Sequence, residues 1–309
     1  MRKFVFLALP LIILPLIWKT CLAEQPSGTA PAVDTAPVDE TAFFEKIKAG
    51  DRDAVKAMLN SGANPNASDD ESSPALFFAI AARKPDIADM LLDRGADISL
   101  ANKRGWTSLM LAAQGGFTDL VKRLIDMGAN VNTKSAADWT ALSLASQNNH
   151  VAVIKHLLDT GADHQILTKD GFSALMVAAH QGHIESVTLL LNSGAKVNKQ
   201  DSQRGTSALS LAAAEGHTET VKLLLERGAS VNTTDSFGQT ALMWAAWGGH
   251  VEVAKLLIDK GANINATNME GKSALRYASQ ANKPGIKGLL LKAGGSMGKE
   301  IKPRRVTPQ

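Results

Sequence analysis

Apolar residues along this chain recur in two short blocks that repeat about every 33 positions. One block begins with Thr or Ser and continues with Ala and Leu, as in "TALSLAS" (140–146), and the other is a Leu-rich run at helical spacing, as in "VKLLLER" (221–227). A glycine closes each Leu-rich run, in steps of 33 residues and one step of 34, at Gly62, Gly95, Gly128, Gly161, Gly194, Gly228, Gly261 and Gly294. Two blocks in one phase predict a repeat architecture in which each unit contributes a pair of helices.

Each unit predicts a short helix, a turn, a second helix and a polar loop. Thr or Ser caps the first helix, because its side-chain oxygen accepts an amide hydrogen of the first turn. The Leu and Ala residues that follow give this helix an apolar face. Gly228 ends the second helix of its unit, because glycine enters the left-handed backbone region without strain. The next segment, "VNTTDSFGQ" (231–239), is rich in Asn, Asp and Gly, which favour a turn or hairpin.

The segment "DSFGQTALMWAAWGGHVEVAKLLIDKGANIN" (235–265) resembles the ankyrin repeat, a β-turn followed by two antiparallel helices. The resemblance covers about residues 41–296. It implies an all-α repeat fold, an ankyrin solenoid of about eight helix-turn-helix units with β-hairpin fingers. One departure is consistent, since the family's Pro after the capping Thr is Ala or Ser in these copies. The first and last units are atypical, as expected of caps with polar outer surfaces.

The single 34-residue step lies between Gly194 and Gly228. Its extra residue falls before the helix cap at Ser207, in "NKQDSQRGTS" (198–207). We therefore expect the hairpin to absorb the extra residue while the helices keep their phase.

The two ends of the chain differ in composition from the repeats. Residues 1–23 combine a basic start, an apolar run of 15 residues and a small-residue site ending at Ala23, which is typical of a cleaved signal peptide. An uncleaved membrane anchor is the alternative. Residues 24–40 contain Pro, Ala and acids without a base and predict a disordered linker. Residues 297–309 predict a basic, solvated tail.

Charge and cysteine content narrow the classes of function. The formal charge of +3 falls to zero without the three bases of the signal peptide, so no concentrated basic face for nucleic acid is expected. Cys21 is the only cysteine and lies in the signal peptide, which excludes disulfides and Cys-based zinc sites from the mature chain. The N-glycosylation triplets at Asn66, Asn232 and Asn265 share one repeat position and are interpreted as a by-product of the repeat. These features predict a periplasmic or secreted protein of a bacterial envelope.

No constellation of catalytic residues stands out in the repeats. There is no phosphate-binding loop, nucleophile elbow or carboxylate pair. His150, His183, His217 and His250 fall in the turn between helices and are interpreted as structural. His180 and His183 form an H-x-x-H pair without an acidic ligand at zinc-site spacing, so no metal is expected. We expect no enzyme activity and no cofactor, with a hydrolase or metal-dependent enzyme as the alternative class.

A partner protein is expected on the concave face. In ankyrin proteins the hairpin tips and the exposed side of the first helix usually hold the partner. Trp106, Trp139 and Phe172 precede the helix cap in three neighbouring repeats, whereas later repeats have polar residues there. We interpret the three rings as an exposed interface strip; the alternative is that they stiffen the array. The expected partner-binding residues are Lys103, Arg104, Trp106, Met110, Trp139, Phe172, Met176, His180, Arg204, Phe237, Met243 and Trp247.

The sequence thus predicts a protein–protein interaction module that acts as a scaffold or stabiliser of an envelope protein. An inhibitor or immunity-type protein that blocks a toxin or enzyme is the alternative. The expected partner is another protein, with no nucleic acid and no membrane contact after signal cleavage. The chain itself is expected to be a monomer.

Overall fold

The computed structural model describes residues 39–299, which lie in one compact unit. The expected signal peptide, most of the expected linker and most of the expected tail fall outside the described residues. Within them the chain forms sixteen helices. These are α1 (Glu40–Ala49), α2 (Arg52–Asn60), α3 (Ala75–Ala81), α4 (Pro85–Asp93), α5 (Ser108–Gly115), α6 (Thr118–Asp126), α7 (Ala141–Gln147), α8 (Val151–Asp159), α9 (Ala174–Gln181), α10 (Ile184–Asn192), α11 (Ala208–Glu215), α12 (Thr218–Glu226), α13 (Ala241–Gly248), α14 (Val251–Asp259), α15 (Ala274–Gln280) and α16 (Pro284–Lys292).

The helices pack as consecutive pairs into a two-layer solenoid. Each odd-numbered helix contacts the even-numbered helix that follows it and the odd-numbered helices of the adjacent units. The prediction of an all-α repeat solenoid is therefore confirmed. Four of the seven fingers between the described units are closed by isolated β-bridges rather than by longer strands. These bridges join Ser68 with Pro74, Ala101 with Thr107, Gln200 with Ser207, and Thr234 with Thr240. No helix within residues 39–299 is both long enough and apolar enough to cross a membrane.

Side-chain caps begin α5 and the later odd-numbered helices, as the sequence predicts, whereas α3 has Pro74 at the cap position and no such bond. Thr107, for example, accepts a hydrogen bond from the Met110 amide at 3.3 Å. This bond satisfies one amide hydrogen that the first turn of the helix leaves without a partner. The same cap is made by Thr140, Ser173, Ser207, Thr240 and Ser273.

The core lies between the two helix layers and between neighbouring units. Leu175 on α9 and Leu190 on α10 are buried on facing sides of one unit. The alanine pairs of the odd-numbered helices, such as Ala178 and Ala179, are fully buried. Their small side chains allow the odd-numbered helices to approach closely, which accounts for a core rich in alanine and poor in aromatic residues.

Histidines link four of the helix–helix turns to the unit before them. Nε2 of His217 lies 2.9 Å from the carbonyl oxygen of His180. Because a carbonyl oxygen only accepts hydrogen bonds, Nε2 carries the proton. The ring also covers Gly182, where a Cβ would lie 2.5 Å from Nδ1 of His217. The same bond is made by His150, His183 and His250 to the carbonyl oxygens of Gln114, Gln147 and Ala214, respectively. The structural interpretation of these histidines is confirmed.

Asparagines make a second line of links, between the loops that follow the even-numbered helices. Asn132 donates from Nδ2 to the carbonyl oxygen of Gly161 at 3.2 Å and accepts at Oδ1 from the Asp163 amide at 2.8 Å. The same two-bond link is made by Asn66, Asn198, Asn232 and Asn265. All three glycosylation-triplet asparagines are therefore engaged in structural links, which supports their interpretation as a by-product of the repeat.

Two loops have another residue at the linking position. Ser99 bonds to Asp97 and Gln165 bonds to His164, so both side chains are engaged within their own loops. Along the described repeats, the line of asparagine links is thus interrupted twice.

The segment after α16 covers the last unit. The amide of Ser296 donates to Oδ1 of Asn265 at 2.8 Å, and its carbonyl oxygen accepts a hydrogen bond from the hydroxyl of Ser273. Nε of Arg276 donates to the carbonyl oxygen of Met297 at 3.2 Å. This segment therefore lies where the finger of a further repeat would pack, and its contacts run past residue 296.

Candidate partner-binding groove

The fingers form one continuous row, because backbone hydrogen bonds join most neighbouring tips and the Gln203 side chain joins the remaining pair. The Ala136 amide donates to the carbonyl oxygen of Arg104 at 2.8 Å, and the Ser236 amide donates to that of Arg204 at 2.7 Å. Other tips are joined in the same way, for example through the Met269 amide. The tip side chains consequently project from a fixed backbone.

A polar side chain at the start of each finger holds its shape. Oδ1 of Asp235 accepts from the amides of Phe237 at 2.9 Å and Gln239 at 2.8 Å. Such bonds satisfy finger amides that have no ladder partner. The equivalent acceptors are Asp69, Asn102, Ser135, Thr168, Asp201 and Asn268.

Asp235 gives the array a pH-dependent component of stability. Burial raises the pKa of Asp235, although hydrogen bonds from two finger amides and from Trp244 oppose the rise. With its folded pKa above the unfolded one, this carboxyl contributes stability below the unfolded pKa, and that contribution is lost as pH rises through the folded pKa.

Asp235→Asn is therefore expected to raise the melting temperature at pH 7 by roughly 1–2 °C, corresponding to about 0.5 kcal/mol. Asn keeps the Oδ1 acceptor without the buried charge, and Asn268 already serves this purpose in the next finger. The gain should shrink at pH 4. Asp69→Asn, in a finger where the carboxyl is half-buried, is the control. A lower melting temperature for Asp235→Asn at both pH values would contradict this account.

The finger before α11 contains the extra residue of the 34-residue step. Its bridge joins Gln200 with Ser207, seven positions apart, whereas the bridge from Thr234 to Thr240 spans six. Ser207 still caps α11, so the helices keep their phase and the prediction is confirmed. Nε2 of Gln203 donates to the carbonyl oxygen of Lys169, which links this finger to its neighbour through a side chain.

Deletion of Gln203 is expected to weaken partner binding more than folding. Finger tips contact little of the core, so unfolding should change by less than about 1 kcal/mol. Leu224→Ala, which removes a fully buried side chain, is the comparison and should cost about 2–5 kcal/mol. Thermal unfolding and partner capture measure the two effects. An equally large loss of stability in both variants would refute the expectation.

The expected exposed aromatic strip is wrong. Trp106 is 9% exposed and Trp139 is 3% exposed, and Phe172 is half-buried. A Cβ on Gly105 would lie 2.9 Å from the Ala136 amide nitrogen, so adjacent fingers are in backbone contact and cover the residues at their base. Burial favours the alternative, in which the rings stabilise the array.

The three methionines expected to flank the groove are also interior. They occupy the third position of α5, α9 and α13. Met110, Met176 and Met243 are each buried, so their expected exposure is corrected as well.

The remaining expected residues are at least partly accessible to solvent. His180 and Trp247 are half-buried. Met269, whose place at a finger tip is expected from the sequence but which is not among the twelve expected partner-binding residues, is 70% exposed. Its signal was a large apolar residue in a position that is otherwise polar or small. The exposed members of the expected set are Lys103, Arg104, Arg204 and Phe237.

A connected set of side chains joins the fingers of the last two units to the odd-numbered helices α13 and α15, whose accessible side is called the floor here. Nε2 of Gln239 donates to the hydroxyl oxygen of Tyr277 at 2.6 Å, and Nδ2 of Asn268 donates to the same oxygen at 2.9 Å. The rings of Trp247 and Tyr277 meet edge to face, with centroids 6.1 Å apart. Burial raises the pKa of Tyr277, so its hydroxyl is neutral at physiological pH. Gln239, which contacts this floor, follows the exposed tip residue Phe237 by two positions.

Earlier in the array, α9 and α11 carry a histidine–glutamate pair. Nε2 of His180 lies 3.6 Å from Oε1 of Glu215. Burial lowers the pKa of His180, although the Glu215 carboxylate opposes this shift. The lowered pKa keeps the imidazole ring neutral at pH 7. Across residues 39–299, no group of three or more His, Cys, Asp or Glu side chains is arranged to hold a metal ion.

Comparison with known proteins agrees with this architecture. A family model described as ankyrin repeats (3 copies) matches residues 40–135, 95–168, 142–235 and 209–301, which together span most of the chain. A search of curated proteins found no match. Ankyrin repeats are in general protein–protein interaction modules, and they are typically non-catalytic. The chain belongs to the ankyrin repeat family.

Proposed function

We propose that this chain is an exported binding protein that holds one partner protein along its finger row, as a scaffold or stabiliser in the bacterial envelope. The observation that carries the proposal is the pair of exposed apolar side chains at adjacent finger tips, Phe237 and Met269, named here the tip pair. They are 56% and 70% exposed. Adjacent exposed apolar residues on a soluble protein commonly mark an interface.

The tip pair is also well placed to bind without rearrangement. The Met269 amide donates to the carbonyl oxygen of Phe237 at 2.9 Å, which fixes the two tips relative to each other. The half-buried Trp247 lies on α13, the helix that follows the finger of Phe237. A preformed surface loses little conformational entropy on binding, so more of its contact energy appears as affinity.

Partner capture from an envelope fraction tests the proposal. The bait is the mature chain, compared with a Phe237→Ser/Met269→Ser double variant. Met127→Ser is the matched control, since Met127 is an exposed methionine at the end of the outer helix α6. We expect a resident partner to be captured by the wild type and the control, and at least about tenfold less by the double variant. Equal capture by all three baits would contradict the proposed surface.

The same experiment separates scaffold from inhibitor. A scaffold partner keeps its activity when bound and loses stability when the chain is absent. If the captured partner is a toxin or enzyme that is inactive in the complex, the inhibitor alternative holds instead.

Export is the part of the proposal that depends on residues 1–23. Their basic start, apolar run and small-residue site predict that the mature chain begins at Glu24. The intact mass of the exported protein measures this start directly. A species that retains Met1, or one that is lipidated at Cys21, would contradict the cleaved signal peptide.

A further inference from the structure

Three exposed cations lie on the finger row, in fingers that precede the tip pair along the chain. Arg104, Lys169 and Arg204, named here the cation row, belong to the fingers before α5, α9 and α11. Among residues 39–299, none of the three forms an ion pair within 4.0 Å. Lys103, by contrast, has Glu71 at 3.9 Å.

The backbone of the cation row is held in place. The carbonyl oxygens of Arg104 and Arg204 each accept a tip amide of the following finger. The amide of Lys169 donates to the carbonyl oxygen of Ala137 at 3.0 Å. Asp170 follows Lys169 in the sequence and is the one acid beside a member of the row at these three tips. The fold therefore presents positive charge in a fixed register on a chain whose repeats are otherwise close to neutral.

The geometry points to a partner segment that is extended, acidic and anchored by one large apolar side chain. This inference rests on the proposed function and names the chemistry of the partner at the same surface. Carboxylates opposite the cation row steer association and set its direction along the fingers. The apolar side chain covers the tip pair and supplies most of the affinity.

The spacing of the fingers gives the segment a pattern. Neighbouring units stack at roughly 8–10 Å, the distance of packed helices. An extended chain advances about 3.3 Å per residue, so neighbouring fingers are separated by about three residues of partner. The finger of Arg204 directly precedes that of Phe237, and Lys169 lies one finger further away. We therefore expect acidic residues at about three and about six positions from the apolar anchor.

Selection from a displayed library of random twelve-residue peptides on the mature chain tests the pattern. We expect enriched peptides to combine a large apolar residue with acids at this spacing. Affinity of one enriched synthetic peptide is then measured at low and high salt. Arg204→Glu should weaken it at least about tenfold at low salt and less at high salt, because salt screens the charge contact. Phe237→Ser/Met269→Ser should weaken it about tenfold at both.

Lys222→Glu is the matched control, because it makes the same charge change at an exposed position on the outer helix α12. Equal losses for Arg204→Glu and Lys222→Glu would overturn the inference, as would enriched peptides without acids. If enriched peptides without acids fail to bind the Phe237→Ser/Met269→Ser variant, the proposed binding surface stands and only the inference of an acidic partner falls. If a chain lacking residues 24–37 binds the peptide at least about tenfold more tightly, the acidic linker occupies the row, and the inference is also overturned. If no peptide is enriched and no partner is captured, both proposals fall.

Discussion

Replacing Trp139 with alanine is expected to destabilise the repeat domain by about 3–5 kcal/mol. Its indole is 3% exposed and is covered where adjacent fingers are in backbone contact. Truncation leaves a cavity, and the neighbouring repeats can close it only in part because their backbones are held in place. Denaturant unfolding followed by circular dichroism measures the loss.

Thr206→Ala is the matched control, because Thr206 occupies the same position in a later repeat and is half-buried. We expect it to cost less than about 1 kcal/mol. Partner capture per folded molecule should be close to wild type for both variants. A Trp139→Ala protein that unfolds like Thr206→Ala but no longer captures its partner would restore the exposed-strip interpretation.

Gly182→Ala is expected to destabilise the array by about 2–5 kcal/mol, from two separate causes. Gly182 has φ +75°, a left-handed backbone that costs a residue with a Cβ about 1–2 kcal/mol. The added Cβ would also lie 2.5 Å from Nδ1 of His217, so the ring must move and strain its bond to the His180 carbonyl. Thermal unfolding measures the sum of the two.

Gly228→Ala separates the two causes. Gly228 has φ +87°, but no atom lies within 4 Å of its added Cβ, so this variant should lose only the backbone part, about 1–2 kcal/mol. Adding His217→Ala to Gly182→Ala removes the clash, so the double variant should be less than additive. Equal losses for the two glycine variants would show that the histidine contact does not contribute.

The fold followed from the sequence because its signals are local. A Thr or Ser cap, an apolar helical face and a closing glycine fix the start, the buried side and the end of each helix within a few residues. The extra residue near Gln203 could be assigned to a finger for the same reason, since the markers on both sides of it stay in phase.

Exposure of the aromatic positions could not be predicted in this way, because burial there depends on the neighbouring repeat. Polar residues at the same position in later repeats suggested that it faces solvent. The structure shows that this partly buried position accepts a polar side chain when a neighbouring side chain bonds to it. Gln239 reaches the Tyr277 hydroxyl, and Nζ of Lys272 lies 2.7 Å from Oε2 of Glu270. Burial and apolarity are therefore not equivalent at this position.

The two interruptions in the line of asparagine links divide one edge of the solenoid into blocks of unequal length. Ser99 and Gln165 stand at the breaks, so the links join the first two units, the next two, and then the last four. In a linear array, the free energy of unfolding is approximately a sum of repeat and nearest-neighbour interface terms, and the weakest interfaces set where unfolding separates into steps. The block of four contains the tip pair and the floor around Tyr277. The part of the molecule that carries the proposed binding surface thus also has the longest uninterrupted run of asparagine links on that edge.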